Sequence, residues 1–169
     1  PGGAMETLVE AKRQGHVRTL GFSAHTSKAA LMLLERFPFD TAMFPINYVE
    51  LLRYGFGKQV LELAEKKGAA VLAIKAMSRG AWPKDARPTR KWWYRPVEDA
   101  EEVDLAVRFA LSQPAVAAAF PPAFLDLLDK AVEAGRNFRP ITPAEVQRLR
   151  LMALASEPVF QKDEARAAM

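Results

Sequence analysis

Hydrophobic positions recur along this chain with two alternating periods. Apolar residues spaced three or four positions apart predict helices, and the shorter continuous apolar runs between them predict buried strands. One of these runs, Ala69 to Ile74, is apolar throughout, as expected of a strand that is covered on both faces. The four predicted strands lie at residues 17–22, 41–46, 69–74 and 116–120. The predicted helices are marked by Met5, Leu8 and Val9; Leu31, Leu34 and Phe37; Val60, Leu61 and Ala64; Val107, Phe109 and Leu111; and Leu125, Leu128 and Val132.

Turn residues and caps delimit these helices. Gly15, Gly68 and Gly135 follow helical stretches and predict their ends. Thr26 or Ser27 can cap the second helix, because a hydroxyl accepts a hydrogen bond from a free amide of the first turn.

The second half of the chain carries the clearest helix starts. Asp99 and Glu102 form a capping-box pattern, and the segment 142–145, Thr-Pro-Ala-Glu, combines a cap, an early proline and a reciprocal glutamate. Residues 78–97 predict a long irregular loop rich in Arg, Pro and Trp. The tail after Pro158 is compatible with either a frayed end or a helix.

The order of the elements predicts the fold class. A strand followed by a helix, four times over, is typical of α/β proteins with a parallel sheet and right-handed crossovers. Such a chain can form a small open sheet or half of an eight-stranded barrel, and periodicity does not separate the two. A whole barrel takes about 250 residues. The 169 residues of this chain therefore predict one domain, residues 1–169, that is not a whole barrel.

Composition narrows the chemistry. The chain has no cysteine and two histidines, so disulfides, thiolate catalysis and a metal-ligand cluster are not expected. The net charge of +4 is too small for the basic face of a nucleic-acid-binding protein. The basic excess is concentrated in residues 79–95, where six basic residues face one acid, so this loop is either solvated or faces a phosphate.

The sequence also lacks membrane signals. No apolar run approaches the roughly 18 residues of a membrane helix. The first residues show no basic region followed by an apolar core. We therefore expect a cytoplasmic protein with neither a membrane nor a nucleic acid as its partner.

Five segments together resemble a known family. GHVRTLGFSAHTS, FDTAMFPIN, EKKGAAVLAIKAMSRG, VRFALSQPAVAAAFPP and FRPITPAE resemble successive units of the aldo-keto reductases, in the order and at the spacing of that family. The resemblance spans almost the whole chain. It implies an α/β fold that is half of a (β/α)8 TIM barrel: four parallel βα units, strands five to eight, plus a C-terminal helix. It also implies NADP or NAD as the cofactor.

The resemblance implies cofactor-binding roles for particular residues. Ser23 matches the serine that hydrogen-bonds the nicotinamide carboxamide, and Arg79 with Gly80 lies where a loop passes the pyrophosphate. His25 follows the first strand, where it contacts either a ligand or only its local backbone. Lys75 ends the third strand, where it is either an anion contact or a solvated side chain.

The chain departs from the family at several of these positions. Ala24, Met43 and Ile74 replace the usual asparagine, glutamine and tyrosine of the nicotinamide site. Residues 121–125 carry no charge where the family often grips a 2′-phosphate. The catalytic aspartate, tyrosine, lysine and histidine of the family belong to the first four strands, which would precede residue 1.

Two function classes follow. One is half of an oxidoreductase that carries the dinucleotide-binding side. This half does not reduce carbonyl compounds alone, and a small-molecule carbonyl compound would be a substrate only of the completed barrel. The other is a non-catalytic half-barrel that folds and self-associates. The segment GFSAH at 21–25 is similar to a hydrolase nucleophile elbow, but the fifth glycine and a later histidine are missing.

Two surfaces point to further contacts. Trp82, Trp92, Trp93 and Tyr94 in the long loop either close over a ligand or pin the loop to the barrel. Half a barrel exposes two strand edges and its inner face, which predicts a homodimer or pairing with the missing N-terminal half. The residues predicted for the inner face are Leu20, Met43, Phe44, Val71, Ile74, Ala118 and Phe120.

Overall fold

One parallel sheet of four strands organises the chain in a computed structural model, which describes residues 3–161 together with 164 and 165. The strands pair in sequence order and the sheet is open, so the predicted α/β arrangement of four parallel βα units is confirmed. The strands are β1 (Gly21–Ser23), β2 (Thr41–Pro45), β3 (Ala70–Ile74) and β4 (Val116–Phe120).

Helices connect and cover these strands. In the described part of the chain they are α1 (Ala4–Arg13), α2 (Ser27–Arg36), α3 (Tyr48–Tyr54), α4 (Lys58–Lys67), α5 (Ala100–Leu111), α6 (Leu125–Arg136) and α7 (Pro143–Leu154). None of these helices is long and apolar enough to span a membrane.

The predicted caps are present with one exception. The hydroxyl of Thr26 accepts a hydrogen bond from the amide of Ala29 at the start of α2. The predicted reciprocal capping box of Thr142 and Glu145 opens α7. Asp99 caps α5, but the Glu102 carboxylate pairs with another side chain.

Several predicted boundaries were wrong. The first strand begins at Gly21 and not at residue 17, because Leu20 bonds to the turn before β2. The Leu20 amide donates to the Asp40 carboxylate at 2.7 Å, and the Leu20 carbonyl accepts from the amides of Asp40 and Thr41. Helix α6 also runs through Gly135 to Arg136.

Helix α3 was not predicted. It begins three residues after the end of β2 and is capped by Asn47, whose side chain accepts a hydrogen bond from the amide of Glu50 at 3.0 Å. Tyr48 and Val49 have low helix propensity and extend an apolar strand, so their local preference hides the helix start.

The pleat of the sheet separates an outer and an inner face. On the outer face, Ala42, Phe44, Val71 and Ala73 are fully buried in a cluster with residues of α2 and α4. On the inner face, strand pairing aligns Ser23, Met43, Leu72 and Ala118 in one row, with Pro45, Ile74 and Phe120 in the next. Apart from Pro45, these inner residues are half-buried or exposed.

The predicted inner face was therefore partly wrong. Phe44 and Val71 point to the helices, since neighbouring residues of a strand face opposite sides and Met43 already takes the inner position. Leu20 precedes β1. Met43, Ile74, Ala118 and Phe120 do lie on the inner face.

After α7 the chain folds back across the ends of the strands as a non-helical tail, residues 155–160. The guanidinium of Arg53 donates to the Ser156 carbonyl, and the Ala81 amide donates to the Glu157 carbonyl at 2.9 Å. The Phe160 ring is buried and stacks on Phe56 at 5.3 Å. Residues 155–160 are thus a packed, non-helical part of the fold. The described residues beyond them, 161, 164 and 165, are helical, in agreement with the helical alternative for the end of the tail.

Candidate functional site

The C-terminal ends of β1 and β3 bring two basic side chains together. Lys75 directly follows β3, and His25 lies two residues beyond β1. The Lys75 Nζ atom is 3.1 Å from the His25 Nε2 atom. Parallel barrel sheets place functional groups at this edge, so two of the predicted site residues share one location although 50 positions separate them.

Lys75 has an unusual environment for a lysine. Its Nζ lies 5.5 Å from the centroid of the Trp93 ring, and partial burial lowers the pKa of its ammonium group. No carboxylate pairs with it among the residues that the structure describes. Its backbone has a φ of +58°. That conformation costs a residue other than glycine about 1–3 kcal/mol and is concentrated at functional sites.

Aromatic rings surround this pair. His25 stacks on Phe160 with ring centroids 5.9 Å apart, and Trp93 meets the same Phe160 ring edge-on at 6.2 Å. The tail and the long loop therefore both border the basic pair. The position of Phe160 was not predicted, because it depends on the path of the tail.

A cavity of about 210 Å³ opens beside Lys75, between the ends of β3 and β4. We call it the aromatic cavity. Its walls include Ile74, Lys75, Trp92, Trp93, Tyr94 and Phe120, with residues 121–123. Lys75 is the one charged residue in this lining.

The tryptophan-rich loop is pinned by two of its aromatic residues and exposes a third. The Trp92 ring packs edge-on against Phe124 at 5.3 Å, and its carbonyl accepts from the Trp82 indole at 2.9 Å, so these two residues pin the loop. The Trp93 side chain is 57% exposed beside Lys75, where it is available to a ligand.

Ser23 is the last residue of β1 and is exposed on the inner face. The amide of the following residue, Ala24, donates to the Met43 carbonyl at 3.1 Å, which fixes the strand end. The hydroxyl of Ser23 thus lies on the open side of the sheet, and its role toward a carboxamide stays a prediction.

Arg79 and Gly80 have other neighbours. The Arg79 guanidinium forms an ion pair of 2.7 Å with Glu102 on α5. Gly80 has a φ of +90°, and a Cβ atom there would overlap the Glu157 carbonyl of the tail. The fold alone therefore explains the glycine, and the contacts of both residues with a pyrophosphate stay predictions.

Sequence reasoning missed Glu50, a carboxyl group buried on α3. Its side chain is 1% exposed, and one oxygen accepts a hydrogen bond from the Val159 amide at 2.5 Å. The other oxygen has no partner among the described residues. Burial raises the pKa of Glu50, although the amides of Val159 and Phe160 oppose the shift. The Asn47-x-x-Glu50 spacing of a helix start was the one available signal.

Two replacements of Glu50 should distinguish the contribution of its hydrogen bond to stability from the contribution of its charge. Glu50→Ala should lose about 1–3 kcal/mol, because the buried tail amides then lack an acceptor. Glu50→Gln keeps an acceptor and removes a buried charge, so we expect it to be at least as stable as the parent at neutral pH. Urea denaturation followed by circular dichroism measures both variants.

The pH dependence provides the control. The pKa of Glu50 is raised in the folded state, so folding favours the protonated form, and ionisation lowers the stability as pH rises above 4.5, the ordinary pKa of an unfolded glutamate. The advantage of Glu50→Gln over the parent should therefore grow from acid to neutral pH. An advantage that does not change with pH would contradict this account.

The sequence itself has no close match: no family model and no curated protein matches it. Solved structures do match. An aldo-keto reductase from Bacillus halodurans in its holo form is 20% identical, with a TM-score of 0.63 over 96% of this chain and 62% of that one. The glycerol dehydrogenase of Gluconobacter oxydans is 20% identical, with a TM-score of 0.58 over 90% of this chain and 54% of that one.

This chain thus spans a little more than half the length of each of these structures. The matching part contains the four parallel strands and their helices in sequence order. Its fold is that of one part of an aldo-keto reductase barrel.

Proposed function

We propose that this chain is the dinucleotide-binding half of an aldo-keto reductase and that it binds NADP or NAD at the C-terminal edge of its sheet. The observation that carries the proposal is the meeting of Lys75 and His25 at this edge, beside the aromatic cavity. The shared fold and the resemblance in sequence support it.

The residues present fit such a ligand. Lys75 offers a positive charge without a carboxylate partner in the described structure, which suits a phosphate oxygen. Ser23 offers an exposed hydroxyl to the carboxamide. The Trp93 ring can cover the ligand from the solvent side. When bound, the nicotinamide ring supplies the hydride that reduces a carbonyl group.

Selectivity between the two cofactors should be weak. Residues 121–125 lack the charged donors that a 2′-phosphate requires. In the basic loop, Arg79 and Arg90 are already paired with Glu102 and Glu98. A strong preference for NADP therefore has no evident source in this chain.

Catalysis requires residues from outside this chain. By the resemblance, the proton donor and its partners belong to an N-terminal half, which would also cover the inner face. The substrate would then be a small carbonyl compound, and the whole protein would be cytoplasmic. The alternative is a non-catalytic half-barrel that pairs with a second copy, and the exposed Phe120 on the inner face favours it.

Cofactor titration tests the proposal. We expect quenching of tryptophan fluorescence by NADPH and NADH, with dissociation constants less than about tenfold apart, which corresponds to about 1.4 kcal/mol. Lys75→Met and Ser23→Ala should each weaken binding, while Lys58→Met on the exposed face of α4 should not. Equal binding by the Lys75 and Lys58 variants would reject the site.

Turnover separates the two function classes. The chain alone should show no carbonyl reduction, because general acid–base catalysis contributes roughly 10²–10⁴ in rate and its donor is missing. Addition of an N-terminal half from a related reductase should restore activity. A chain that binds neither cofactor and gains no activity on mixing would favour the non-catalytic class.

A further inference from the structure

We propose that Lys75 is also an amine nucleophile, and that it forms an imine with small apolar aldehydes and ketones that enter the aromatic cavity. This activity goes beyond the proposed function, because it requires neither a dinucleotide nor residues from an N-terminal half. The ligand class follows from the cavity, whose lining is aromatic and aliphatic apart from Lys75 itself.

The first argument is the contact between two bases. With Lys75 Nζ and His25 Nε2 3.1 Å apart, the two groups resist holding a positive charge each, because like charges at hydrogen-bond distance repel. One of the pair can share a proton with the other. The amine form of Lys75 is therefore accessible, and the amine is the form that attacks a carbonyl carbon.

The second argument is the surroundings of the amine. A lysine in an apolar pocket is activated because burial disfavours its charged form. The pKa of Lys75 is lowered by this burial, which agrees with the geometry. The left-handed backbone at Lys75, with a φ of +58°, directs the side chain from a constrained position.

The Trp93 ring favours the charged form of Lys75, because an aromatic face attracts an ammonium ion. This ring is 57% exposed, so water weakens the attraction. The protonated imine is itself a cation and would lie beside the same ring. The ring therefore also stabilises the product of the reaction.

The chemistry balances without an oxidant or a reductant. The lone pair of Nζ attacks the carbonyl carbon, a C–N bond forms, and the carbonyl electrons move to oxygen. His25, which holds the one proton that the pair shares, donates it to this oxygen and then accepts a proton from nitrogen, which gives the neutral carbinolamine. The same ring then donates this proton to the hydroxyl group. Water leaves as the C–O bond breaks, and the protonated imine of Lys75 remains beside a neutral His25.

Two probes suit this 169-residue chain without added dinucleotide. A 1,3-diketone, 2,4-pentanedione, forms a stable enaminone with an amine, and the enaminone absorbs in the near ultraviolet. Benzaldehyde with sodium cyanoborohydride fixes the imine as a secondary amine. Peptide mass spectrometry then identifies the labelled residue among the ten lysines of the chain.

We expect Lys75 to be labelled several-fold faster than Lys58, because burial lowers the pKa of Lys75 and His25 lies within proton-transfer distance of its nitrogen. Lys75→Arg should abolish the fast phase of the absorbance change, and Lys58→Arg should leave that phase unchanged. His25→Gln should slow labelling and leave Lys75 as the target. Circular dichroism establishes that each variant is folded.

Labelling of Lys75 and Lys58 at equal rates would overturn the proposal, and so would an unchanged absorbance in a folded Lys75→Arg variant. The result is independent of the cofactor titration. A chain that forms the imine without binding NADPH would reject the proposed cofactor site and keep the imine. A chain that binds NADPH through Lys75 and forms no imine would do the reverse.

Discussion

Replacing Arg108 by alanine should remove a large part of the stability of this chain. The Arg108 side chain is fully buried on α5 and forms two hydrogen bonds of 2.8 Å to the Glu145 carboxylate of α7. It also donates to Asp104 at 3.0 Å and to the Arg139 carbonyl at 3.0 Å. Breaking a buried pair costs about 3–5 kcal/mol. The total stability of a domain is only about 5–15 kcal/mol.

The comparison of three variants tests the origin of this loss. Arg108→Met fills most of the volume and should recover part of the stability of Arg108→Ala. Glu145→Gln keeps acceptor capacity and should cost less than either. Urea denaturation at neutral pH measures all three. An Arg108→Ala variant within about 1 kcal/mol of the parent, the range of surface ion pairs, would show that the pair contributes little.

The same pair predicts an acid-sensitive fold. The Arg108 guanidinium holds the pKa of Glu145 well below its usual range, and the amide and hydroxyl of Thr142 act in the same direction. The stabilisation is therefore complete above the unfolded value of 4.5 and is lost as pH falls toward the lowered folded value. The stability of Glu145→Gln should change less across this acidic range.

The order of the elements could be predicted from the sequence, but the Arg108 pair could not. The hydrophobic periods of strands and helices are formed by residues that are close in sequence, so they can be recognised in a single sequence. Thr142 and Glu145 mark the start of α7 for the same reason. Arg108 meets Glu145 only after α5 and α7 have packed, and a charged residue between Val107 and Phe109 has no local signal of burial.

Part of the candidate site could be predicted from the sequence in the same way, and part could not. His25 and Lys75 could be assigned to one edge, because residues that follow parallel strands meet there. The aromatic surroundings required the paths of the loop and the tail, which place Trp93 and Phe160 next to this pair. Helix α3 and its Glu50 were missed because Tyr48 and Val49 have the local preferences of a strand.

The two faces of the sheet provide the last prediction. Phe44→Asp should unfold the chain, because Phe44 is fully buried between the sheet and the helices and stacks on Phe56 at 5.1 Å. The loss should exceed the roughly 3–5 kcal/mol of a Phe→Ala change in a core, since a charge is also buried. Leu72→Asp changes the opposite face, where the side chain is half-buried. It should leave the circular dichroism spectrum unchanged.

Self-association should be sensitive to the inner face of the sheet, whereas folding depends on the outer face. We expect the parent chain to be a dimer at micromolar concentration, because the inner face and two strand edges are uncovered. Leu72→Asp places a charge among Met43 and Ala118 in the inner row and should convert the dimer into a monomer. Sedimentation velocity distinguishes the two states. If the folded Leu72→Asp variant sediments as the parent does, then the inner face of the half-barrel is not the surface through which the chain associates.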